Sequence, residues 1–228
     1  MPGVRQTAGG VVQTVAGVIQ TSTVPIVDSF EDGDVSEYSD DIGSYSVVNE
    51  STITPSAIDG TKVLSADSAN TELEGYSGDG LQNYFAKGEE LTAYSWAASD
   101  ANSHEVKLWF SLNNNGNRYQ VLFLYADDTV KLRRVDDSQS NTVKTLASDS
   151  NATLATSTWH RIVIQRDDGS TFGGSDGDLN VEVIDNSDGS TVTSLSANNT
   201  LLNDDGIGFE IDDRDGAAYW DYLHISDS

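Results

Sequence analysis

Residues 105–135, EVKLWFSLNNNGNRYQVLFLYADDTVKLRRV, decide the fold. Two tight-turn signals, Asn113 to Gly116 and Asp127-Asp128, cut this stretch into three apolar runs of strand length, rich in aromatic and β-branched residues. The pattern predicts an antiparallel meander. In the first run Val106, Leu108, Phe110 and Leu112 alternate with Lys107, Trp109 and Ser111, which predicts one buried face and one half-open face carrying Trp109. The middle run, Tyr119 to Tyr125, is apolar on both faces, as in the centre of a two-layer sandwich. The third run places Val130 and Leu132 on one side and Lys131, Arg133 and Val135 on the other. Such a sheet requires a second sheet to cover it.

A chain of 228 residues buries enough apolar surface for one all-β domain of this kind. Its 3 prolines, 20 glycines and frequent Asx-Gly turns, without any run of sustained helical spacing, point the same way. The charge is lopsided: 37 acidic residues stand against 12 basic ones, a formal −25, which excludes nucleic acid as a partner. Self-repulsion on that scale is relieved by salt or bound cations, so the composition reads as that of a halophile's protein, with an ordinary acidic secreted domain as the alternative. The acids sit in turns such as Asp40-Asp41, Asp136-Asp137 and Asp204-Asp205, between apolar runs, and do not form a disordered tail. The absence of cysteine removes disulfides, thiolate chemistry and cysteine-based zinc sites. No apolar run has the length of a bilayer span, so no membrane insertion is expected.

The amino end repeats. Gly3-Val4-Arg5-Gln6-Thr7, Gly10-Val11-Val12-Gln13-Thr14 and Gly17-Val18-Ile19-Gln20-Thr21 are three copies of G-V-x-Q-T at a seven-residue offset. Glycine once per heptad and Val/Thr-rich copies are poor helix formers, which disfavours a coiled coil. An extended arm over residues 1–25, pairing with neighbouring subunits or a docking surface, fits better and implies a homo-oligomer; a frayed leader without function is the alternative. The single Arg5 and the interruptions at Gln13, Thr14 and Gly17 make this a poor secretion signal.

The domain is expected over residues 26–228. Strands are predicted at Tyr45 to Val48, Lys62 to Ala66, Leu81 to Phe85 and Leu91 to Ala98, with a short edge at Lys144 to Ala147. Trp96 shares a face with Tyr94 and reads as core. Together, LTAYSWAA, the meander, TWHRIVIQ, LNVEVIDNSDG and the closing AYWDYLHIS resemble the laminin-G-like, concanavalin-A-like jelly rolls. The resemblance covers roughly residues 26–228 and implies a two-sheet antiparallel jelly-roll sandwich, used as a carbohydrate-binding or adhesive module and often stiffened by calcium between its first and last strands. For a structural Ca²⁺ the matching positions are Glu31, Asp32 and Asp221; the other reading of these residues is turn acids in a very acidic protein. Asp176 to Asn180 begins like a calcium loop but carries Glu182 and Ser187 at the wrong places and reads as a loop only.

Five of the twelve basic residues, Lys107, Arg118, Lys131, Arg133 and Arg134, fall within 28 positions, interleaved with Trp109 and Tyr119. On the concave face that the jelly-roll resemblance implies, Trp109 and Tyr119 beside Lys107, Arg118, Lys131 and Arg133 would stack on and hydrogen-bond an acidic or sulfated sugar. Pairing of these cations with the many acids across strands is the competing reading. Glu210, Asp212 and Asp215 approach the carboxylate signature of laminarinase-type glycosidases, but Arg214 interrupts it and no catalytic set is expected. His104, His160 and His224 show no triad spacing and read as structural or surface groups. These features predict a non-enzymatic, oligomeric virion surface protein that contacts other capsid or tail proteins and touches host surface glycans. The alternative is an extracellular carbohydrate-binding or adhesion module, and a laminarinase-type hydrolase ranks third.

Overall fold

The computed structural model describes residues 5–7, 10–15, 18–21, 27–35, 38, 40–42, 45–66, 71–75, 88–98, 105–113, 115–136, 142–166, 178–198, 202, 206–212 and 217–227. In chain order the strands are β1 (Arg5–Thr7), β2 (Gly10–Val15), β3 (Val18–Thr21), β4 (Val27–Asp28), β5 (Asp40–Ile42), β6 (Tyr45–Asn49), β7 (Lys62–Ala66), β8 (Thr71–Gly75) and β9 (Glu89–Ala97). There follow β10 (Glu105–Leu112), β11 (Arg118–Leu124), β12 (Thr129–Asp136), β13 (Thr142–Asp149), β14 (Trp159–Arg166), β15 (Asp178–Asp185), β16 (Thr191–Asn198), β17 (Gly206–Asp212) and β18 (Ala218–Asp227). Short 3-10 turns at Glu50–Thr52 and Tyr125–Asp127 complete the elements, and no α-helix occurs among the described residues.

The strands make two antiparallel sandwich sheets. One has the order β13-β12-β11-β10-β17-β8-β5; the other runs β16-β15-β14-β9-β18-β7-β6, with β4 also paired to β18. The predicted meander is β10–β11–β12, and its turns form for the reasons read from the sequence. Asn113 Oδ1 accepts the N–H groups of Asn115 (3.0 Å) and Asn117 (3.1 Å), and Gly116 closes the turn at φ 76°. Asp128 takes the left-handed conformation, φ 47°, and its Oδ1 accepts the Leu154 N–H at 2.9 Å, tying this turn to the loop before β14. Between the sheets lies the main core, which includes Val106, Leu108, Phe110, Val121 and Phe123 from one layer and Leu91, Ile162, Val181, Trp220 and Leu223 from the other. Inward side chains alternate along each strand, as a two-layer sandwich requires.

The amino-terminal repeats differ from the single extended arm expected of them. β1, β2 and β3 pair with one another, with Gln6 opposite Val11 and Gln13 opposite Gln20, and among the described residues none of them joins a sandwich sheet. Each heptad is long enough for one short strand plus a reversal, so the period that suggested a docking arm is satisfied locally by a three-stranded meander. The strand expected at Leu81 to Phe85 lies outside the described residues, as do His104, the Asp176-Gly177 half of the calcium-like loop, and Asp215. The short edge expected at Lys144 to Ala147 is the edge strand β13, extended to eight residues.

Candidate ligand-binding faces

The basic cluster lies on the outward face of the first sheet. Its central strand β10 is aligned so that Trp109 stands opposite Gln120, which in turn stands opposite Arg133; Lys107 and Lys131 flank Leu122 in the neighbouring row. Register thus brings Lys107, Trp109, Lys131 and Arg133 to one face, and Arg118 joins them by laying its guanidinium 3.9 Å above the Trp109 ring. Tyr119 does not join them. It pairs with Phe110, faces the core at 0% exposure, and stacks on that ring at 5.4 Å, because residues opposite in register share a face and Phe110 points inward. Arg134, opposite Tyr119, likewise leaves the basic face.

The half-open platform expected around Trp109 is also corrected. Trp109, Ser111 and Leu122 are each 0% exposed and Lys107 only 8%, so the centre of this outward face is sealed; Lys131 and Arg133 at β12 stay half-buried. A β-bulge between Phe110 and Leu112 gives Ser111 a positive φ of 55° and turns it into the same sealed zone. Lys107 Nζ is paired with Glu105 at 3.3 Å, two residues along the same strand, a local pairing and not the cross-strand pairing that competes with ligand binding. Yet Trp109 Nε1, Ser111 Oγ and Arg133 Nε are buried without a hydrogen-bond partner among the described residues. A buried polar atom left unpaired costs about 1–3 kcal/mol, so three on one face of one sheet mark it as incomplete.

Two of the candidate metal ligands, Glu31 and Asp221, serve another purpose. Residues 50–61 form a flap over the outward face of the second sheet, where Ile53, Ala57 and Ile58 pack on Val63, Trp96, Trp159 and Tyr219. Trp96 is therefore core, as its pairing with Tyr94 implied, but of this smaller outer cluster. Asp221, 1% exposed on β18, holds the flap: its Oδ2 accepts the N–H groups of Ile58 (2.6 Å) and Asp59 (3.2 Å), and its Oδ1 accepts that of Tyr222 (2.8 Å). Glu31 Oε1 fastens the far end by accepting the N–H groups of Thr61 (2.8 Å) and Lys62 (2.6 Å), which lowers its pKa. Gly60, at φ 66°, makes that approach feasible, since a Cβ there would lie 2.2 Å from Glu31 Cδ. Trp159 Nε1 adds a hydrogen bond to Ser56 O at 2.9 Å. Asp32 is exposed and accepts the Asp34 N–H at 3.4 Å.

Glu31 and Asp221 already accept backbone N–H groups, whose positive ends point at the oxygens that a Ca²⁺ would need, and Asp32 is exposed. Glu31, Asp32 and Asp221 therefore do not fit a calcium ion as a set, and among the described residues no group of three His, Asp or Glu could hold a metal.

Burial raises the Asp221 pKa to about 6, against the opposing pull of its three N–H donors. A carboxyl whose folded pKa exceeds its unfolded one binds protons more readily when folded. Its contribution is complete below the unfolded value of 3.8 and is lost as pH rises through about 6. We expect the wild-type stability curve to carry a component falling between pH 4 and 6 that Asp221→Asn lacks, measured by urea unfolding across that window. Identical slopes for the two proteins would contradict this assignment.

The second sheet offers an open concavity that the sequence analysis did not single out. It lies on the outward face of β14, β15 and β16, has a volume of about 430 Å³, and is lined by Gln165, Asn180 and Ser196 in one row and Val163, Glu182 and Ser194 in the next. The partial signal for it was the alternation of polar residues through Asn180 and Glu182 in LNVEVID and through Ser194 and Ser196 in TVTSLSAN. On the next two strands, β9 and β18, Tyr94, Tyr222 and His224 form a half-buried aromatic run, with ring centroids 5.9 and 5.7 Å apart. His160, on β14 itself, is wholly buried, its Nδ1 3.4 Å from the Tyr125 hydroxyl; burial lowers its pKa, partly offset by Asp185.

No family model matches the chain and no curated protein does. Solved structures do match. The carbohydrate binding module CBM66 from Bacillus subtilis aligns with a TM-score of 0.51 at 11% identity, covering 81% of this chain and 96% of its own. The exoplasmic/lumenal domain of VIP36, in a form bound to Ca²⁺ and Man3GlcNAc, aligns with a TM-score of 0.52 at 10% identity over 81% of this chain and 84% of its own. The legume lectin-like domain from Entamoeba histolytica reaches 0.53 at 11% identity, over 81% and 90%. At such identities the likeness is one of fold: the chain is an antiparallel jelly-roll sandwich of the kind found in these lectin-like domains.

Proposed function

We propose that this protein is a non-enzymatic glycan-binding jelly roll, the head of an oligomeric surface protein of a virion. The observation that carries glycan binding is the pair Lys131 and Arg133, half-buried side chains on β12 at the rim of the sealed outward face, beside the Arg118–Trp109 stack. Cations gathered there, in a protein of net charge −25, select a ligand that supplies oxygen acceptors and negative charge, such as a sulfated or uronic-acid glycan. Guanidinium on β12 offers the bidentate geometry that a sulfate or carboxylate accepts. Neighbours named as carbohydrate-binding and lectin-like domains support the same class. Of the three carboxylates considered for Ca²⁺, Glu31 and Asp221 are already engaged by backbone N–H groups.

On a glycan array, Lys131→Ala combined with Arg133→Ala is expected to weaken binding to sulfated glycans by about 10- to 100-fold, the loss of one or two charge-assisted hydrogen bonds. Both residues are half-buried at the rim of the sealed zone, so the fold is expected to survive the change. Undiminished binding would exclude this face.

The virion role rests on the repeats. A three-stranded sheet of strands three to six residues long is at the lower limit of independent stability, so β1–β3 would gain cover by assembling with other chains. Deleting residues 1–24 is then expected to convert an oligomer to a monomer by light scattering in molar salt. An unchanged mass favours the second reading, an extracellular carbohydrate-binding or adhesion module, which the likeness to CBM66 supports equally well.

A further inference from the structure

We infer that the concavity on β14, β15 and β16 is a second binding site, distinct from the basic face and suited to a neutral, hydroxyl-rich saccharide. It rests on the glycan reading but uses other residues on the opposite sheet. Register sets its dimensions: Gln165, Asn180 and Ser196 stand abreast on three adjacent strands, and Val163, Glu182 and Ser194 stand abreast two residues away. Adjacent strands are about 4.8 Å apart and alternate residues about 6.8 Å apart, so these six side chains frame a field of roughly 10 by 7 Å.

The polar groups there are aimed outward and are not used up by the fold. Gln165 donates its Nε2 to Glu90 Oε2 at 2.8 Å, which fixes the amide and leaves Oε1 as an acceptor. Glu182 Oε1 accepts the Thr191 hydroxyl at 2.9 Å, which leaves Oε2 as an acceptor. Asn180, Ser194 and Ser196 are exposed, and none of their side chains hydrogen-bonds another described residue. An amide presents a donor and an acceptor side by side, and so does a hydroxyl; vicinal diols on a sugar ring present the same pair. Val163, half-buried at the floor, supplies an apolar patch for a ring face.

Charge decides the class. Glu90 and Glu182 border the field and the groove-lining residues include no Lys or Arg, so an anionic ligand is repelled here and attracted on the basic face. In the direction of β9 and β18 the row through Val163 continues with Thr92 and His224, beside the Tyr94–Tyr222 pair, which extends the surface for a ligand longer than one ring.

The test uses surface plasmon resonance of the whole chain on immobilised mannan, laminarin and xylan, with dextran sulfate as the anionic surface. Wild type is expected to bind at least one neutral polysaccharide. Gln165→Ala with Asn180→Ala should weaken that binding by at least about tenfold, the equivalent of one or two hydrogen bonds, and leave the dextran sulfate response unchanged. Absence of response on all three neutral surfaces overturns the inference, as does undiminished neutral binding by the double variant. Loss of dextran sulfate binding in Lys131→Ala/Arg133→Ala, with neutral binding intact, shows two independent sites. If wild type binds only neutral surfaces, the basic face fails and the groove stands.

Discussion

Trp109→Ala is expected to destabilise the protein by about 3–5 kcal/mol, the range for excising a buried aromatic ring from a packed site. The ring is 0% exposed, at the middle strand of a seven-stranded sheet, with Arg118 stacked 3.9 Å from its centroid. Its loss opens a cavity and deprives the guanidinium of a cation–π partner worth about 0.5–2 kcal/mol. Urea unfolding at constant m-value measures the change. A tryptophan acting as an exposed sugar platform would behave differently: alanine would abolish binding and barely move the midpoint. Trp109→Phe separates the two roles further, since it keeps most of the packed surface while removing the unpartnered Nε1. A shift below about 1 kcal/mol in the alanine variant, the ordinary range for surface positions, would falsify the sealed placement.

Asp221→Ala is the second large effect, expected at about 2–4 kcal/mol. Three backbone donors, at Ile58, Asp59 and Tyr222, lose their acceptor together. The flap they anchor covers Trp96, Trp159 and Tyr219, so its release also exposes aromatic surface. Hydrogen exchange gives the cleaner readout: the Ile58 and Asp59 amides should lose protection in the variant before the meander amides do. Equal protection at those two amides in both proteins would show that the flap is held by Trp159 and Glu31 without help from Asp221.

Much of the architecture was legible because strand periodicity and turn chemistry are local. The meander, its Asn113 and Asp128 turns, and the strand at Lys62–Ala66 follow from alternation bounded by Asx and Gly residues, whereas the strands at Trp159–Arg166 and Asp178–Asp185 are reached only through the jelly-roll resemblance of TWHRIVIQ and LNVEVIDNSDG. β8, with the sequence TELEG, has a single apolar residue, Leu73, and gives no such signal; it is a strand because β17 and β5 flank it. β17 was partly obscured by its acidic end, which also reads as a turn. The faces were harder than the strands. Whether Trp109 and Tyr119 share a side depends on the register across the Asn113–Asn117 turn, and a shift of one residue reverses every side chain. Nor does a strand's own pattern say whether its outward face is sealed, since that depends on what the rest of the chain lays over it. The apolar outward residues Trp109 and Leu122 on adjacent strands were the available hint. The groove on β14–β16 went unmarked because its Ser, Asn and Gln residues are what any solvated face would carry, and only the pairing of three separate segments makes them a site.

β18 lies between β9 on one side and β7 with β4 on the other, so the second sheet is closed by a segment that leaves the ribosome after every other strand in it. Until then the nascent chain holds two half-sheets with exposed edges, β9 facing one gap and β7 the other, and hydrophobic Trp and Leu side chains awaiting cover. Translation speed through β18, and any nonsense change before Ala218, therefore weigh on yield far more than their distance from either binding face suggests.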